Sequence, residues 1–119
     1  MGRAEGTWGE AMVANWLRQR GFHLLSAGYH CRYGEVDLIA EEGDMLCFVE
    51  VKTRSNYDTV LPREYVTPAK QRRLRATAQW YLATHDMADR PARFDVAEVY
   101  TDAQCSPQNT KLHYIRNAF

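Results

Sequence analysis

Two runs of this chain concentrate the side chains that could do chemistry. Gly34-Glu35-Val36-Asp37-Leu38-Ile39 puts an acid inside one strand-like segment. Phe48-Val49-Glu50-Val51-Lys52-Thr53-Arg54 puts an acid and a lysine at alternate positions in the next. Strand side chains alternate with period two, so Glu50 and Lys52 share a face and Val51 points away. Two carboxylates and an ammonium on one sheet face are costly to bury without a partner. A divalent metal and a phosphate would supply that partner.

The chemistry implied is metal-dependent cleavage of a phosphodiester, which needs an activated water and stabilisation of charge on the attacked phosphate. Magnesium prefers oxygen ligands and keeps waters, so two or three carboxylates suffice. Asp37 and Glu50 are the candidate ligands for Mg2+ (or Mn2+), and the Val51 carbonyl is a candidate third. Lys52 can position the water or neutralise charge on the phosphorane. Glu10 is a candidate to complete the shell by holding the metal or a bound water. Glu35, on the same face as Asp37, is a reserve ligand. The plain alternative is an exposed strand face carrying a Glu50–Lys52 salt bridge. Leu46, Phe48, Val49 and Val51 weaken it, because a strand apolar on both faces reads as central and buried.

Several elements must bring these residues together. Residues 5–20 read as a helix with Trp8, Met12, Val13, Trp16 and Leu17 as its apolar stripe and Gly21 as its stop. Glu10 lies about 20° around the wheel from Leu17, towards whatever the helix packs on. Residues 22–29 read as a strand. Residues 35–40 and 45–52 read as a hairpin around Glu41-Glu42-Gly43-Asp44. A two-residue turn at Glu42-Gly43 would set Asp37 opposite Phe48 and diagonal to Glu50, at roughly 7–8 Å between Cβ atoms. A three-residue turn would flip one strand and separate the two acids.

Residues 53–66 read as a polar loop. Thr67-Pro68 opens a second helix to about residue 84, with Thr67 as N-cap and Pro68 as first residue. Its inward side carries Leu74, Ala78, Tyr81 and Leu82. Lys70, one turn before Leu74, leans over the sheet. Phe94 to Tyr100 and Leu112 to Ile115 read as two further strands, joined by a loop over 101–110. The order α-β-β-β-α-β-β predicts an α/β fold, a central mixed sheet flanked by helices.

At 119 residues, with 45% hydrophobic and 25% charged positions, the chain is predicted to form a single domain spanning 1–119. No apolar run approaches the ~18 residues of a membrane span, and the start lacks an apolar signal core. Cys31, Cys47 and Cys105 are odd in number and far apart, giving neither a disulfide framework nor a zinc-type pair. A reducing cytoplasm is the expected compartment. His23, His30, His85 and His113 show no metal-ligand spacing. There is no Gly-rich phosphate loop, and no small-molecule cofactor is expected.

Net charge is zero, but its distribution is uneven. Residues 35–50 carry acids and no base, whereas 52–75 are rich in Lys and Arg. That suits a metal site beside a surface that grips a nucleic-acid backbone. Arg54, Lys70, Arg72 and Arg73 are the candidate DNA-binding residues. Solvated turns and a solvated helix face would produce the same blocks.

The two strand-borne runs, with Gly9-Glu10, Ala14, Lys70 and Arg93-Phe94-Asp95, resemble the YraN-like family of small bacterial proteins. That family belongs to the restriction-endonuclease-like, PD-(D/E)xK superfamily and is similar to archaeal Holliday junction resolvases. The resemblance covers nearly the whole chain. It implies a restriction-endonuclease-like core, Asp37, Glu50 and Lys52 as catalytic triad, and Glu10 as helical acid. Val36 stands where the superfamily name has Pro, and the loop after Ser55 lacks an expected glycine. The expected function is a Mg-dependent endodeoxyribonuclease acting on DNA, including branched or structured DNA, with a homodimer as an open option. Two alternatives stand beside it: a catalytically inactive nucleic-acid-binding module with the same fold, and a protein-interaction subunit.

Overall fold

The computed structural model describes residues 2–55, 66–102 and 106–119. The elements follow the order α1 (Gly2–Gln19), β1 (His23–Cys31), β2 (Gly34–Glu42), β3 (Met45–Ser55), α2 (Pro68–Thr84), β4 (Ala92–Thr101) and β5 (Lys111–Ile115). A 3-10 turn, Pro107–Asn109, precedes β5. This is the α-β-β-β-α-β-β order expected from the sequence. Of the loop expected over 53–66, residues 53–55 instead extend β3, paired with β4 up to Ser55↔Thr101; residues 56–65 and Cys105 lie outside the described residues.

The strands form one five-stranded sheet in the order β1-β2-β3-β4-β5. β3 and β4 are parallel and the other neighbours antiparallel. A parallel neighbour requires a crossover, and α2 supplies it. β3 is the middle strand, which explains its apolarity on both faces: Leu46, Cys47, Phe48 and Val49 are all buried.

Each helix covers one face. α1 packs Val13 and Leu17 onto Leu38, Ala40, Cys47, Val49, Ala97 and Val99. It ends as Gly21 adopts φ 88°, while Phe22 N–H donates to the Leu17 carbonyl at 3.0 Å. The left-handed residue after the helix is one glycine takes without strain, and Phe22 then buries in the same core. α2 packs Leu74, Ala78 and Tyr81 onto Val36, Ile39, Leu46, Phe48 and Val96. Its start is the predicted one: Thr67 Oγ1 accepts from Lys70 N–H at 3.2 Å, and Pro68 opens the helix.

The hairpin differs from the expectation by one turn residue. Glu42 pairs with Met45, so Gly43 and Asp44 form the turn, not Glu42 and Gly43. Gly43 has φ 61°. A glycine at the first of two turn positions satisfies the positive φ that a hairpin turn requires. Moving the turn by one position shifts the pairing by two, so face parity survives. Asp37 is therefore not opposite Phe48; Ile39 is.

Candidate active site

The β2–β3 ladder runs from Glu42↔Met45 to Leu38↔Val49 and stops where the acids begin. There the Asp37 side chain takes over the pairing. Its Oδ2 accepts the Val51 backbone N–H at 2.7 Å. This bond holds the Asp37 carboxylate beside the backbone between Glu50 and Lys52. Glu50 stands on the α2 face of β3, in alternation with Leu46 and Phe48. Lys52 follows on that face.

α2 closes the site from above. The Thr67-Pro68 start sets Lys70 in its first turn, and Lys70 Nζ lies 3.6 Å from Glu50 Oε1. A cleft of about 390 Å3 opens here, lined by Gly34, Glu35, Asp37, Glu50, Lys70, Arg73 and Leu74.

The charges in this cleft are poorly compensated. Burial, then the negative charge of Asp37, push the Glu50 carboxyl up to about 7, against the pull of Lys70 and Lys52. Burial likewise raises the Asp37 carboxyl, despite the Val51 N–H bond and the two lysines. Lys52 is pushed down to about 8 by burial and by its hydrogen bond and charge repulsion with Lys70, with Glu50 opposing. Two acids held up and a neighbouring lysine held down mark a site that disfavours the charged forms of Asp37, Glu50 and Lys52. Such perturbed groups cluster at functional sites.

The donors available to a metal are the Asp37 and Glu50 carboxylates. Both are hard oxygens, which suits a cation that retains much of its water. A cation between them would also relieve their repulsion and offset their burial. Among the described residues no three His, Cys, Asp or Glu side chains form a complete metal-holding group. Glu35 lines the cleft but is solvent-exposed. A cation would therefore complete its shell with water or substrate oxygens.

Other residues singled out in the sequence take different places. Glu10 is half-buried on α1, outside the cleft lining. The preceding Gly9 sits so tightly against Thr53 and Val51 that a Cβ would overlap Thr53 Oγ1. The α1 core face is the opposite side of β3 from Glu50. Val51 packs into the α1 core while its N–H serves Asp37. Arg54 Nη1 donates to the Thr53 carbonyl at 3.4 Å. Arg72 is exposed on α2. Arg75 lies over Phe94, 5.2 Å from the ring centre. Arg73, a candidate DNA-binding residue, is exposed and borders the cleft.

Gly34 also borders the cleft, a role sequence reasoning did not assign. A Cβ there would stand 3.1 Å from Thr77 Oγ1 and 3.7 Å from Arg73 Cβ. The available signal was its position, since a glycine opening a strand hints at close backbone approach; in the structure its φ is 149°. Cys31 and Cys47 are free thiols, and burial pushes Cys47 up to about 12. Among the described residues no helix is long and apolar enough to cross a membrane.

The model of a family described as "Uncharacterised protein family UPF0102" matches residues 9–99. That span contains α1 from Gly9, the hairpin, α2 and most of β4. A protein of Alkaliphilus metalliredigens, called UPF0102 protein, is 38% identical and covers 100% of both chains. One of Acetivibrio thermocellus with the same description is 40% identical over 98% of this chain and 92% of its own. A third, from Syntrophus aciditrophicus, is 39% identical over 96% of this chain and 87% of its own.

Proposed function

This chain belongs to the uncharacterised protein family UPF0102, and we propose that it is a metal-dependent endonuclease that hydrolyses DNA phosphodiester bonds, including those of branched or structured DNA. The observation that carries this reading is the meeting of Asp37 and Glu50 in one cleft. Both carboxylates are held against ionisation there, with Lys52 and Lys70 beside them. The resemblance of Asp37…Glu50-Val51-Lys52 to the PD-(D/E)xK pattern of restriction-endonuclease-like enzymes and the YraN-like family supports it.

Asp37 and Glu50 would hold Mg2+ or Mn2+, with water or substrate oxygens completing the shell; the Val51 carbonyl and Glu10, expected from the sequence as further donors, are not among the residues lining the cleft. When bound, the metal supplies Lewis-acid polarisation of the phosphate and an acidified water. The chain's own residues supply the rest. The Val51 N–H fixes the Asp37 carboxylate. Lys52, held down to about 8, keeps a fraction of neutral amine near neutral pH. It can orient the attacking water and accept its proton. Lys70 and Arg73 on α2, with the adjacent Arg72 and with Arg54 on β3, contribute positive charge towards the nucleic-acid backbone, which fixes position without reading sequence. A cytoplasmic location and DNA as partner belong to the same reading.

A catalytically idle nucleic-acid-binding module is the second reading. One observation favours it: among the described residues no three metal-ligating side chains are gathered. Cleavage of linear, nicked, flapped and four-way-junction DNA, with and without manganese, decides between them. Metal-dependent products that vanish in Glu50→Gln support the enzyme. Salt-dependent binding of the same substrates without cleavage supports the idle module.

A further inference from the structure

The turn between β1 and β2 meets the outer side of α2 directly beside the cleft. Tyr33 at that turn and Trp80 on α2 are the two large hydrophobic side chains left exposed among the described residues, at 42% and 39%. Their ring centres lie 5.7 Å apart with the planes tilted by 58°. The Arg32 guanidinium stands 5.5 Å from the Tyr33 ring centre. The turn reaches the helix because Gly34 has no side chain: a Cβ would crowd Thr77 Oγ1 at 3.1 Å. On α2, Arg73, Thr77 and Trp80 fall at spacings of four and three, so they form one stripe. Gly34 and Arg73 also line the cleft. The aromatic pair is thus continuous with the candidate site, with Arg32 against the Tyr33 ring and Arg73 beside Gly34 at the cleft edge.

A pair that merely tied the turn to the helix would gain most by burying both rings, at ~25 cal/mol per Å2 of apolar surface. These rings stay open to solvent, Tyr33 carries the Arg32 guanidinium at its margin, and the pair adjoins a cleft with Lys70 and Arg73 in its wall. Exposed aromatic faces interleaved with arginines stack unpaired bases, because every base has a π-face and the cations serve the backbone. A continuous duplex hides those faces within its own stack.

We propose that Tyr33 and Trp80, with Arg32 against Tyr33 and Arg73 at the adjoining cleft edge, bind unpaired nucleobases of a strand whose backbone enters the Asp37–Glu50 cleft. This rests on the nucleic-acid reading of the cleft and adds a substrate class to it: DNA or RNA with an unpaired segment beside the phosphate that is positioned there.

The test is fluorescence anisotropy of the full chain in chelator, so that no cleavage intervenes. The probes are a labelled single-stranded oligodeoxynucleotide, its ribonucleotide counterpart and a duplex closed by hairpins at both ends. Trp80→Leu keeps an apolar side chain and removes the aromatic face. It should weaken single-strand binding about five- to a hundred-fold. Duplex affinity should stay within about two-fold, because the phosphate contacts remain. Trp80→Phe should restore most of the loss, and Tyr33→Leu should act in the same direction. The two single-strand probes report whether the sugar matters. Equal loss on single strand and duplex, or no loss on either, overturns the platform. Glu50→Gln should keep the single-strand preference while losing cleavage. Absent cleavage with an intact preference therefore defeats only the enzymatic reading.

Discussion

The sheet buries acidic side chains on both faces, and two of these sites, Asp95 and Glu50, are treated differently. On the α1 face, towards the hairpin end, Asp95 is fully buried and saturated with donors. It accepts from Arg93 Nε at 2.9 and 3.1 Å, from the Tyr114 hydroxyl at 2.6 Å and from Asn117 N–H at 2.9 Å. Arg93 continues to Glu42 at 2.6 Å, and Arg116 joins Glu42 at 2.8 Å. Hydrogen bonds from Arg116, outweighing burial, hold Glu42 down to about 2. On the α2 face, Glu50 has an ion pair to Lys70 at 3.6 Å and sits up at about 7. One cluster is finished by the protein itself. The other is short of positive charge at its carboxylates yet crowds two ammonium groups together. A buried charge is tolerable only when paired and hydrogen-bonded, so an unfinished cluster points to a missing external partner.

Removing a charge from each cluster should therefore have opposite effects. Asp95→Ala strips the half-buried Arg93, the Tyr114 hydroxyl and Asn117 N–H of their shared acceptor and should destabilise the fold by about 3–5 kcal/mol, read by urea unfolding. Glu50→Gln relieves a carboxylate that its surroundings raise from 4.5 to about 7. In metal-free buffer at pH 8 it should stabilise the fold by ~1–3 kcal/mol. A clear destabilisation by Glu50→Gln would make the Glu50–Lys70 pair a structural salt bridge and remove the contrast.

pH sharpens the same comparison. A raised carboxyl binds its proton more tightly in the folded state, so the fold gains stability as pH falls from about 7 towards the ordinary 4.5. Glu42 works the other way: its contribution is present above 4.5 and is lost as pH falls towards about 2. Metal-free melting temperature should rise between pH 8 and pH 5, by on the order of 5 °C, and Glu50→Gln should flatten that rise. A flat wild-type profile over this window would mean the cleft carboxylates are not strained.

The smallest effect concerns the helix surface. Arg72→Ala with Arg73→Ala should leave stability nearly unchanged, since both side chains are exposed. The salt slope of DNA binding should fall by about one for each phosphate that the variant no longer neutralises. An unchanged slope would make these arginines ordinary solvated residues.

Which parts of this were legible in the sequence follows from the range of the physics. The Thr67-Pro68 start of α2 and the Gly21 stop of α1 depend on a few neighbouring residues, so their types announce them. The shared face of Glu50 and Lys52 follows from period two and was equally readable. The apolar run Leu46 to Val49 announced a middle strand. The hairpin turn was misplaced by one residue because Glu41 to Asp44 offers two placements for Gly43. The chosen turn is the one in which Gly43 comes first.

Features that depend on distant packing were not legible. Asp37 replacing a ladder bond at Val51 N–H is decided by where two strands part. The rotation of α2, which brings Arg73 to the cleft edge, is set by the close approach of Gly34 to Thr77. Tyr33 and Trp80 are far apart in sequence, and neither carries a motif. The Asp95 cluster joins β2, β4 and the chain after β5, a convergence no local pattern encodes.

The most direct test of the unfinished cleft is a thermal-shift titration with MnCl2 at pH 7.5, repeated at pH 6. Wild type should be stabilised in a saturable, dose-dependent way, by RT ln(1 + [Mn]/Kd). The effect should weaken at pH 6, where Glu50, at about 7, holds a proton that competes with the metal. Asp37→Asn and Glu50→Gln should each abolish it. Stabilisation that persists unchanged in both variants, or no manganese response in the wild-type chain, would contradict a divalent cation site at Asp37 and Glu50.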